Sequence, residues 1–133
     1  MKKKLLKSKK TAPRNQKILL VDDNPDHLAL FRLLLEQNDF QVVCADGAKD
    51  AFHVLDDNEV NVIVCDVMMP EINGQNFIEE LRLHKHYANI PIIMITSGAD
   101  VGEVDLLMSG ADLFCPKTQA KKMLVSQVKL LLS

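Results

Sequence analysis

The stretch Val62-Ile63-Val64-Cys65-Asp66-Val67-Met68-Met69-Pro70 decides how the rest of the chain is organised. Its first four residues are apolar and mostly β-branched or small, which is typical of a strand buried on both faces of a parallel sheet. The run ends at Asp66, and Pro70 cannot continue a strand. Open parallel α/β sheets bind ligands beyond the carboxyl ends of their strands, so Asp66 is predicted to lie where such a fold carries out its chemistry.

The length of 133 residues predicts one folded domain. The apolar fraction of 47% and the charged fraction of 26% are ordinary for a globular protein. No run approaches the roughly 18–20 apolar residues that span a bilayer, and the basic N-terminus lacks the apolar stretch of a signal peptide. We therefore expect a cytoplasmic protein without a membrane span.

The net charge of −2 combines two segments of opposite charge. Residues 1–17 contain eight Lys or Arg and no acid, whereas residues 18–133 contain eight basic and eighteen acidic residues, a net charge of −10. We expect residues 1–16 to be a disordered, solvated leader and residues 17–133 to form the domain. The leader also has the charge to contact nucleic acid, anionic lipid or the acidic domain itself, and these alternatives stay open.

Neither the cysteines nor the histidines predict a metal site. Each of the three cysteines lies in an apolar run without CxxC spacing, where free cysteine behaves as a small hydrophobe. Among the histidines, His84 and His86 are expected to be solvated loop residues. His27 and His53 are expected to lie in helices without a ligand partner four residues later.

Five alternations of strand and helix follow from the hydrophobic pattern. Strands are predicted over residues 17–21, 41–44, 62–66, 90–95 and 113–115. Helices are predicted from Pro25, over about residues 47–58, 74–84 and 100–109, and from a cap at Thr118 almost to Ser133. Gly110 is a candidate for the residue that ends the fourth helix. The pattern predicts an α/β fold with a doubly wound, five-stranded parallel sheet in the order 2-1-3-4-5.

Polar side chains follow four of these strands at the same edge of the sheet: Asp22, Asp23, Asp66, Thr96 and Lys117. Strands 1 and 3 are neighbours in the predicted order, so the three carboxylates converge and repel one another unless a cation or a proton intervenes. Oxygen ligands without histidine or thiolate suit Mg²⁺. With the ammonium and the hydroxyl nearby, the group is suited to holding a phosphoryl group on one carboxylate.

Five short motifs occur in order at the predicted strand ends. They are Val-Asp-Asp-Asn at 21–24, Asp-Val-Met-Met-Pro at 66–70 with Asn-Gly at 73–74, Thr-Ser-Gly at 96–98, Gly-Ala-Asp-Leu-Phe at 110–114 and Pro-Lys at 116–117. Each motif is weak alone, but the ordered set is specific. In this set the chain resembles the receiver domain of two-component response regulators, in particular the single-domain, chemotaxis-regulator-like kind. The resemblance covers residue 17 to the end of the chain.

The resemblance implies that Asp66 accepts a phosphoryl group from a sensor histidine kinase or a phosphotransfer protein. It also implies a site for Mg²⁺, or for Mn²⁺ as a substitute, made by Asp23, Asp66 and the main-chain carbonyl of Met68. Asp22 would help to hold the metal directly or through water.

The resemblance further implies that Thr96 and Lys117 contact the phosphoryl oxygens and that Thr96 and Phe114 form the conformational switch. The chain departs from the family pattern at Thr118, because the family often has proline there after a cis bond; we expect a trans bond. Ser97 replaces a common alanine. Neither departure removes a group that phosphorylation requires.

The output surface is predicted on the helix over residues 100–109, the fifth strand and the last helix. Met123 and Leu130 widen the apolar sector of the last helix beyond what packing on one side needs. Such an excess marks a site for a downstream protein or a homodimer. The alternative is a wider contact with the core, because single apolar residues are often exposed.

The resemblance implies a stand-alone switch that is not an enzyme acting on a separate substrate and does not bind DNA directly. A phosphorylation-independent adaptor is an alternative, although retention of all five polar groups argues against it. A small aspartyl-phosphate phosphatase is a second alternative, but such enzymes place a second acid where this chain has Met68. Taken singly, Asp22 and Asp23 also read as helix-capping residues, Phe114 as core and Lys117 as a surface lysine.

Overall fold

The central strand is β3 (Val62–Asp66), in which all five residues are buried. A computed structural model of the protein describes residues 16–67, 74–96 and 110–133. The other elements are β1 (Lys17–Val21), α1 (Pro25–Glu36), β2 (Gln41–Ala45), α2 (Ala48–Asp57), α3 (Gly74–Arg82), β4 (Ile92–Thr96), β5 (Leu113–Pro116), a 3₁₀ helix (Lys117–Gln119) and α4 (Ala120–Leu132). The predicted helix over residues 100–109 lies outside the described residues.

The five strands form one parallel sheet in the order β2-β1-β3-β4-β5. In the ladders on either side of β3, Cys65 lies opposite Val21 of β1 and Met94 of β4. The predicted fold class and strand order are therefore confirmed. The strand order reverses direction between β1 and β3, and that switch point is where sheets of this kind bind ligands.

Alternate side chains of β3 face two hydrophobic clusters, one on each side of the sheet. Ile63 and Cys65 belong to the cluster that includes residues of α2 and α3, whereas Val62 and Val64 belong to the cluster with α1 and α4. Full burial of a Leu, Ile or Phe side chain stabilises a fold by about 1.5–3 kcal/mol. Burial on both faces explains the continuous apolar runs of the strands.

Helix α1 begins where the sequence predicts. The side-chain Oδ1 of Asn24 accepts hydrogen bonds from the N–H groups of Asp26 at 2.9 Å and His27 at 3.1 Å. Pro25 occupies the first turn, where its missing N–H is not needed. The start of α1 directly after β1 holds Asp22 and Asp23 at the strand end.

The predicted start of the last helix is wrong. Thr118 lies inside the 3₁₀ helix, and α4 begins at Ala120 after Gln119, whose side chain makes no capping hydrogen bond. The Ala120 N–H instead bonds to the carbonyl of Lys117, so a tight turn replaces the side-chain cap. Neither α4 nor another helix within the described residues is long and apolar enough to cross a membrane.

Two predicted boundaries shift at the turn between α3 and β4. Helix α3 ends at Arg82 rather than near His84, and β4 begins at Ile92 rather than Ile90. The guanidinium of Arg82 donates a hydrogen bond to the Ile90 carbonyl at 2.7 Å, which holds that residue in the turn. Pro91 directly precedes the strand instead of lying within it, which agrees with the missing N–H of proline.

Gly110 adopts a φ of +111°, which L-residues rarely adopt. Its carbonyl accepts two hydrogen bonds from the guanidinium of Arg82, at 3.0 and 2.7 Å. A Cβ at this position would lie 2.8 Å from Cγ of Arg82. Both the positive φ and the close approach of Arg82 explain why glycine is required here.

The three cysteines are free, and Cys65 and Cys115 are buried. Their predicted role as small hydrophobes is confirmed. Burial raises the pKa of the Cys65 thiol well above its ordinary value, and the nearby carboxylates of Asp66 and Asp22 raise it further. The thiol therefore stays neutral beneath the charged strand ends.

Candidate functional site

The strand ends of β1, β3 and β4, with the turn after β5, form what we call the carboxyl edge. Within the described residues, the buried polar or charged side chains are those of Asp22, Asp66 and Thr96, which expose 1%, 4% and 5% of their surface. Each follows or ends a strand, and these strands are neighbours. Burial of polar groups at one edge is costly unless they are paired or bind a ligand.

The three predicted carboxylates lie together at this edge. An oxygen from each of Asp22, Asp23 and Asp66 lies within 4.8 Å of the other two. Asp22 is held by its own N–H, which donates to the Ala45 carbonyl at 3.1 Å, and by the Asn24 N–H, which donates to Oδ1 at 2.9 Å. Asp23 is exposed, so the group opens to solvent on its side.

Crowding of three carboxylates is electrostatically unfavourable. Two unit charges at 4.8 Å repel by about 3 kcal/mol at an effective dielectric constant of about 20, and solvent reduces this value for an exposed group such as Asp23. A divalent cation with oxygen ligands would remove the repulsion. The donor set, made only of carboxylate oxygens, fits Mg²⁺ or Mn²⁺ better than a softer metal.

Lys117 supplies a positive charge beside the three acids. Its Nζ lies 3.6 Å from Oδ2 of Asp66, and its side chain is 29% exposed. The peptide bond from Lys117 to Thr118 is trans, as predicted. The three carboxylates outweigh the ammonium of Lys117, so this group of described residues is negatively charged and attracts a cation. A cation and the ammonium together could neutralise the charge of a phosphoryl group.

Thr96 and Phe114 belong to the neighbouring strands β4 and β5. Thr96 lies opposite Pro116 in the ladder, next to the turn that begins at Lys117. Phe114 is half-buried and packs against the hydrophobic cluster on the α2–α3 side of the sheet. Its carbonyl accepts a hydrogen bond from Nε2 of Gln127 at 3.0 Å, which joins β5 to α4.

His27 is the site residue that sequence reasoning missed. Its Nδ1 lies 3.4 Å from Oδ2 of Asp22, and this nitrogen is buried without a hydrogen-bond partner within the described residues. The sequence signal was available, because His27 follows the Asn24 cap and the first turn of α1 lies over the end of β1. Its contact with Asp22 joins α1 to the end of β1, so spacing within the helix alone does not mark it.

Two predicted features cannot be placed at the site. The main-chain carbonyl of Met68 and the helix over residues 100–109 lie outside the described residues. The described part therefore brings together Asp22, Asp23, Asp66 and Lys117, with Thr96 on the adjacent strand end.

The model of the response regulator receiver domain matches residues 18–129 of this chain. The chain belongs to the response regulator receiver domain family. The resemblance seen in the motifs is thereby confirmed. Receiver domains are signalling domains of two-component systems; they partner with histidine kinases and downstream effectors and are generally not enzymes.

Relatives and solved structures agree with this assignment. The transcriptional regulatory protein CpxR of Escherichia coli (strain K12) is 36% identical over 117 residues, which cover 87% of this chain and 49% of CpxR. This receiver thus spans about half the length of the curated relatives it matches. A putative response regulator from Chloroflexus aurantiacus has a TM-score of 0.82 at 26% identity, covering 88% of this chain and 97% of that one. The Vibrio cholerae chemotaxis protein CheY4, at 23% identity and a TM-score of 0.79 over 87% and 98% of the two chains, shares the fold.

Proposed function

We propose that this receiver is a phosphorylation switch in which Asp66 accepts a phosphoryl group from a sensor histidine kinase or a phosphotransfer protein. The observation that carries the proposal is the environment of the Asp66 carboxylate. It is 4% exposed at the end of the central strand, grouped with two other carboxylates and 3.6 Å from an ammonium. A buried carboxylate with metal ligands and a cation beside it is suited to forming an acyl phosphate.

The metal proposed for this site is Mg²⁺, with Mn²⁺ as a substitute. Asp23 and Asp66 would hold it, with Asp22 as a direct ligand or through water and with the main-chain carbonyl of Met68 added. The fit rests on the close approach of the three carboxylates and on a donor set made only of oxygen. When bound, the metal neutralises the carboxylates and the phosphoryl oxygens.

Each polar side chain has a role in the proposed transfer. An oxygen of Asp66 forms a bond to phosphorus while the phosphorus–nitrogen bond to the donor histidine breaks; the leaving imidazole keeps the electron pair and takes a proton from water. Lys117 stabilises the negative charge on the phosphoryl oxygens. The hydroxyl of Thr96 donates a hydrogen bond to one of those oxygens. The Asn24 N–H orients the Asp22 carboxylate, and Nδ1 of His27 lies 3.4 Å from its other oxygen.

The proposed output is a change in protein binding. Movement of Thr96 and Phe114 would reach α4 through the hydrogen bond between the Phe114 carbonyl and Gln127. The surface of β5 and α4 offers Leu130, which is 64% exposed. Met123, about two turns earlier on α4, is partly buried and packs against the cluster on the α1–α4 side of the sheet. This face is proposed to bind a downstream protein or a second copy of the receiver. DNA binding is not part of the proposal, because residues 18–133 carry a net charge of −10.

Two rival functions predict different chemistry. An adaptor that works without phosphorylation would not need the crowded carboxylates, whose repulsion costs stability. A phosphatase using an aspartyl intermediate needs a general acid two residues after the nucleophile, and Met68 has no proton to give.

The test is incubation of the chain with Mg²⁺ and a small acyl-phosphate donor, followed by intact mass measurement. We expect a mass gain of one phosphoryl group that requires the metal and is absent from Asp66→Asn. Asp26→Asn, which removes an exposed acid on α1, is the matched control and should be phosphorylated normally. A mass gain that persists in Asp66→Asn would overturn the assignment of the acceptor, and continuous release of phosphate from a separate phosphomonoester would favour the phosphatase.

A further inference from the structure

A groove at the opposite, amino edge of the sheet plays no part in the proposed phosphotransfer. It has a volume of about 460 Å³ and is lined by the end of α2, the residues that follow it and the turn before β4. Its exposed acids are Asp56, Asp57 and Glu59, and Tyr87 and Ile90 contribute ring and apolar surface. We call it the acidic groove.

The first strand of the sheet starts beside the acidic groove. The ammonium of Lys17 donates to Oδ1 of Asn58, a lining residue, at 3.1 Å. The Lys17 backbone N–H donates to Oδ1 of Asn61 at 2.8 Å, and the Asn61 N–H donates back to the Lys17 carbonyl at 2.8 Å. These three bonds fix the point where the preceding residues join the fold, and that point borders the groove.

The residues before this point have the charge that complements the groove. Residues 1–15 contain seven Lys or Arg and no acid. Extended chain covers at most about 3.3–3.6 Å per residue, so Arg14 lies within roughly 10 Å of Lys17 and Lys10 within roughly 25 Å. A short tether of this kind gives an effective concentration on the order of millimolar. The basic segment of the same chain therefore binds the groove in preference to a free partner of similar charge at lower concentration.

We propose that the acidic groove binds the basic segment of its own chain, residues 2–14. The hydrogen bond from the Lys17 ammonium to Asn58 shows that a cation near this end of the chain binds a residue that lines the groove. In the proposed complex, the guanidinium of Arg14 and the lysine ammonium groups form ion pairs with the carboxylates of Asp57 and Glu59. Asp56 instead accepts a hydrogen bond from the hydroxyl of Tyr87. The Tyr87 ring adds a face on which a cation can rest.

The bound segment would be held by many weak pairs. Each exposed ion pair contributes little, so the interaction needs several of them and must weaken as salt is added. Strand β3 separates the groove from Asp66 by roughly 13 Å, because four steps of about 3.3 Å lead from Val62 to Asp66. Binding of the segment therefore keeps its positive charge away from anionic partners while leaving the phosphorylation site open.

The first test is zero-length carbodiimide cross-linking of the full chain, mapped by peptide mass spectrometry. We expect cross-links from the lysines of residues 2–10 to Asp57 and Glu59 in monomers, at a yield that does not change with protein concentration. Glu79 and Glu80, exposed acids on α3, are the control pair. The expected excess over this pair is about tenfold, which corresponds to about 1.4 kcal/mol, and it should vanish at about 1 M salt. Equal yields at both pairs, or cross-links found only in dimers, would overturn the proposal; the dimer result would make a second copy the occupant.

A second test uses Tyr87, the only tyrosine in a chain without tryptophan, as a probe of the groove. The variant replaces every Lys and Arg of residues 2–14 by Gln. We expect its tyrosine emission to differ from the parent at low salt and to match it at high salt. Asp57→Asn with Glu59→Gln should abolish that difference, whereas Glu79→Gln with Glu80→Gln should preserve it. Identical emission of parent and variant at low salt would contradict the proposal.

Discussion

The two edges of the sheet differ in how their charged side chains are paired. At the carboxyl edge, three carboxylates of the described residues lie within 4.8 Å of one another, and the ammonium of Lys117 lies beside Asp66. At the amino edge, the guanidinium of Arg82 makes five hydrogen bonds, to the carbonyl groups of Gly110, Ala88 and Ile90 and to the carboxylate of Asp112. The charge of Arg82 is therefore neutralised within the turn that it binds, whereas the carboxyl edge keeps an excess of negative charge.

This difference follows from the topology and from the side chains that it brings together. Parallel strands place all their carboxyl ends on one side, so polar residues that follow the strands must converge there. At the amino edge, the turns before the strands present carbonyl groups, and Arg82 binds them. We therefore expect that loss of the Arg82 hydrogen bonds lowers stability and that removal of an acid at the carboxyl edge raises it.

The largest effect is expected from Arg82→Met, which removes all five hydrogen bonds and leaves the carbonyl groups of a partly buried turn without partners. We expect the free energy of unfolding to fall by about 2–4 kcal/mol in denaturant titrations. Arg82→Lys is the matched control: it keeps the charge but lacks the planar fork, so it should recover only part of the loss. Full stability of Arg82→Met would show that the amino edge is not held by this network.

A smaller change of opposite sign is expected from Asp23→Asn in the absence of divalent metal. Loss of one of three crowded charges should raise the free energy of unfolding by about 0.5–1 kcal/mol, since Asp23 is exposed and screened. Asp26→Asn is the control, because it removes an acid that favours the start of α1 and should lower stability slightly. A lower melting temperature for Asp23→Asn than for the parent would mean that the acids do not repel as described.

The smallest effect concerns the proton of Tyr87. Its hydrogen bond to Asp56 raises the pKa of Tyr87 from 10 to about 12. Because the folded pKa is the higher one, the contribution to stability is complete below pH 10 and is lost as the pH rises through about 12. The absorbance of tyrosinate, which reports only this residue, should titrate earlier in Asp56→Asn. Coincident titrations of parent and variant would exclude the hydrogen bond as the cause.

The carboxyl edge could be predicted because its residues directly follow apolar runs in the sequence. Asp66 ends an apolar run, Asp22 follows another, and the position of a strand end needs no knowledge of distant contacts. The period of the hydrophobic pattern also predicted the alternation of strands and helices, which is typical of a doubly wound parallel sheet. The prediction failed at Thr118, because a 3₁₀ turn after Pro116 moves the cap of α4 by one residue, to Gln119.

The amino edge could not be predicted because its bonds join residues distant in sequence or use backbone carbonyls. No pattern marks Arg82 as a partner of Gly110, 28 residues later. His84 lies in the loop as expected, but it is half-buried rather than fully solvated, because its ring stacks on Tyr87 with centroids 4.1 Å apart. His86, two residues later, is exposed as expected. Such contacts depend on how the turn folds back on α2, which side-chain type alone does not encode.

The most direct test of the central claim is a titration of Mg²⁺ into the parent and Asp23→Asn, with the free energy of unfolding measured at each concentration. Binding to the folded state alone should stabilise the parent progressively, by about 2.7 kcal/mol at a hundred times the dissociation constant. Asp23→Asn should begin more stable than the parent and gain little. An equal gain in both proteins, or no gain in the parent, would contradict the account.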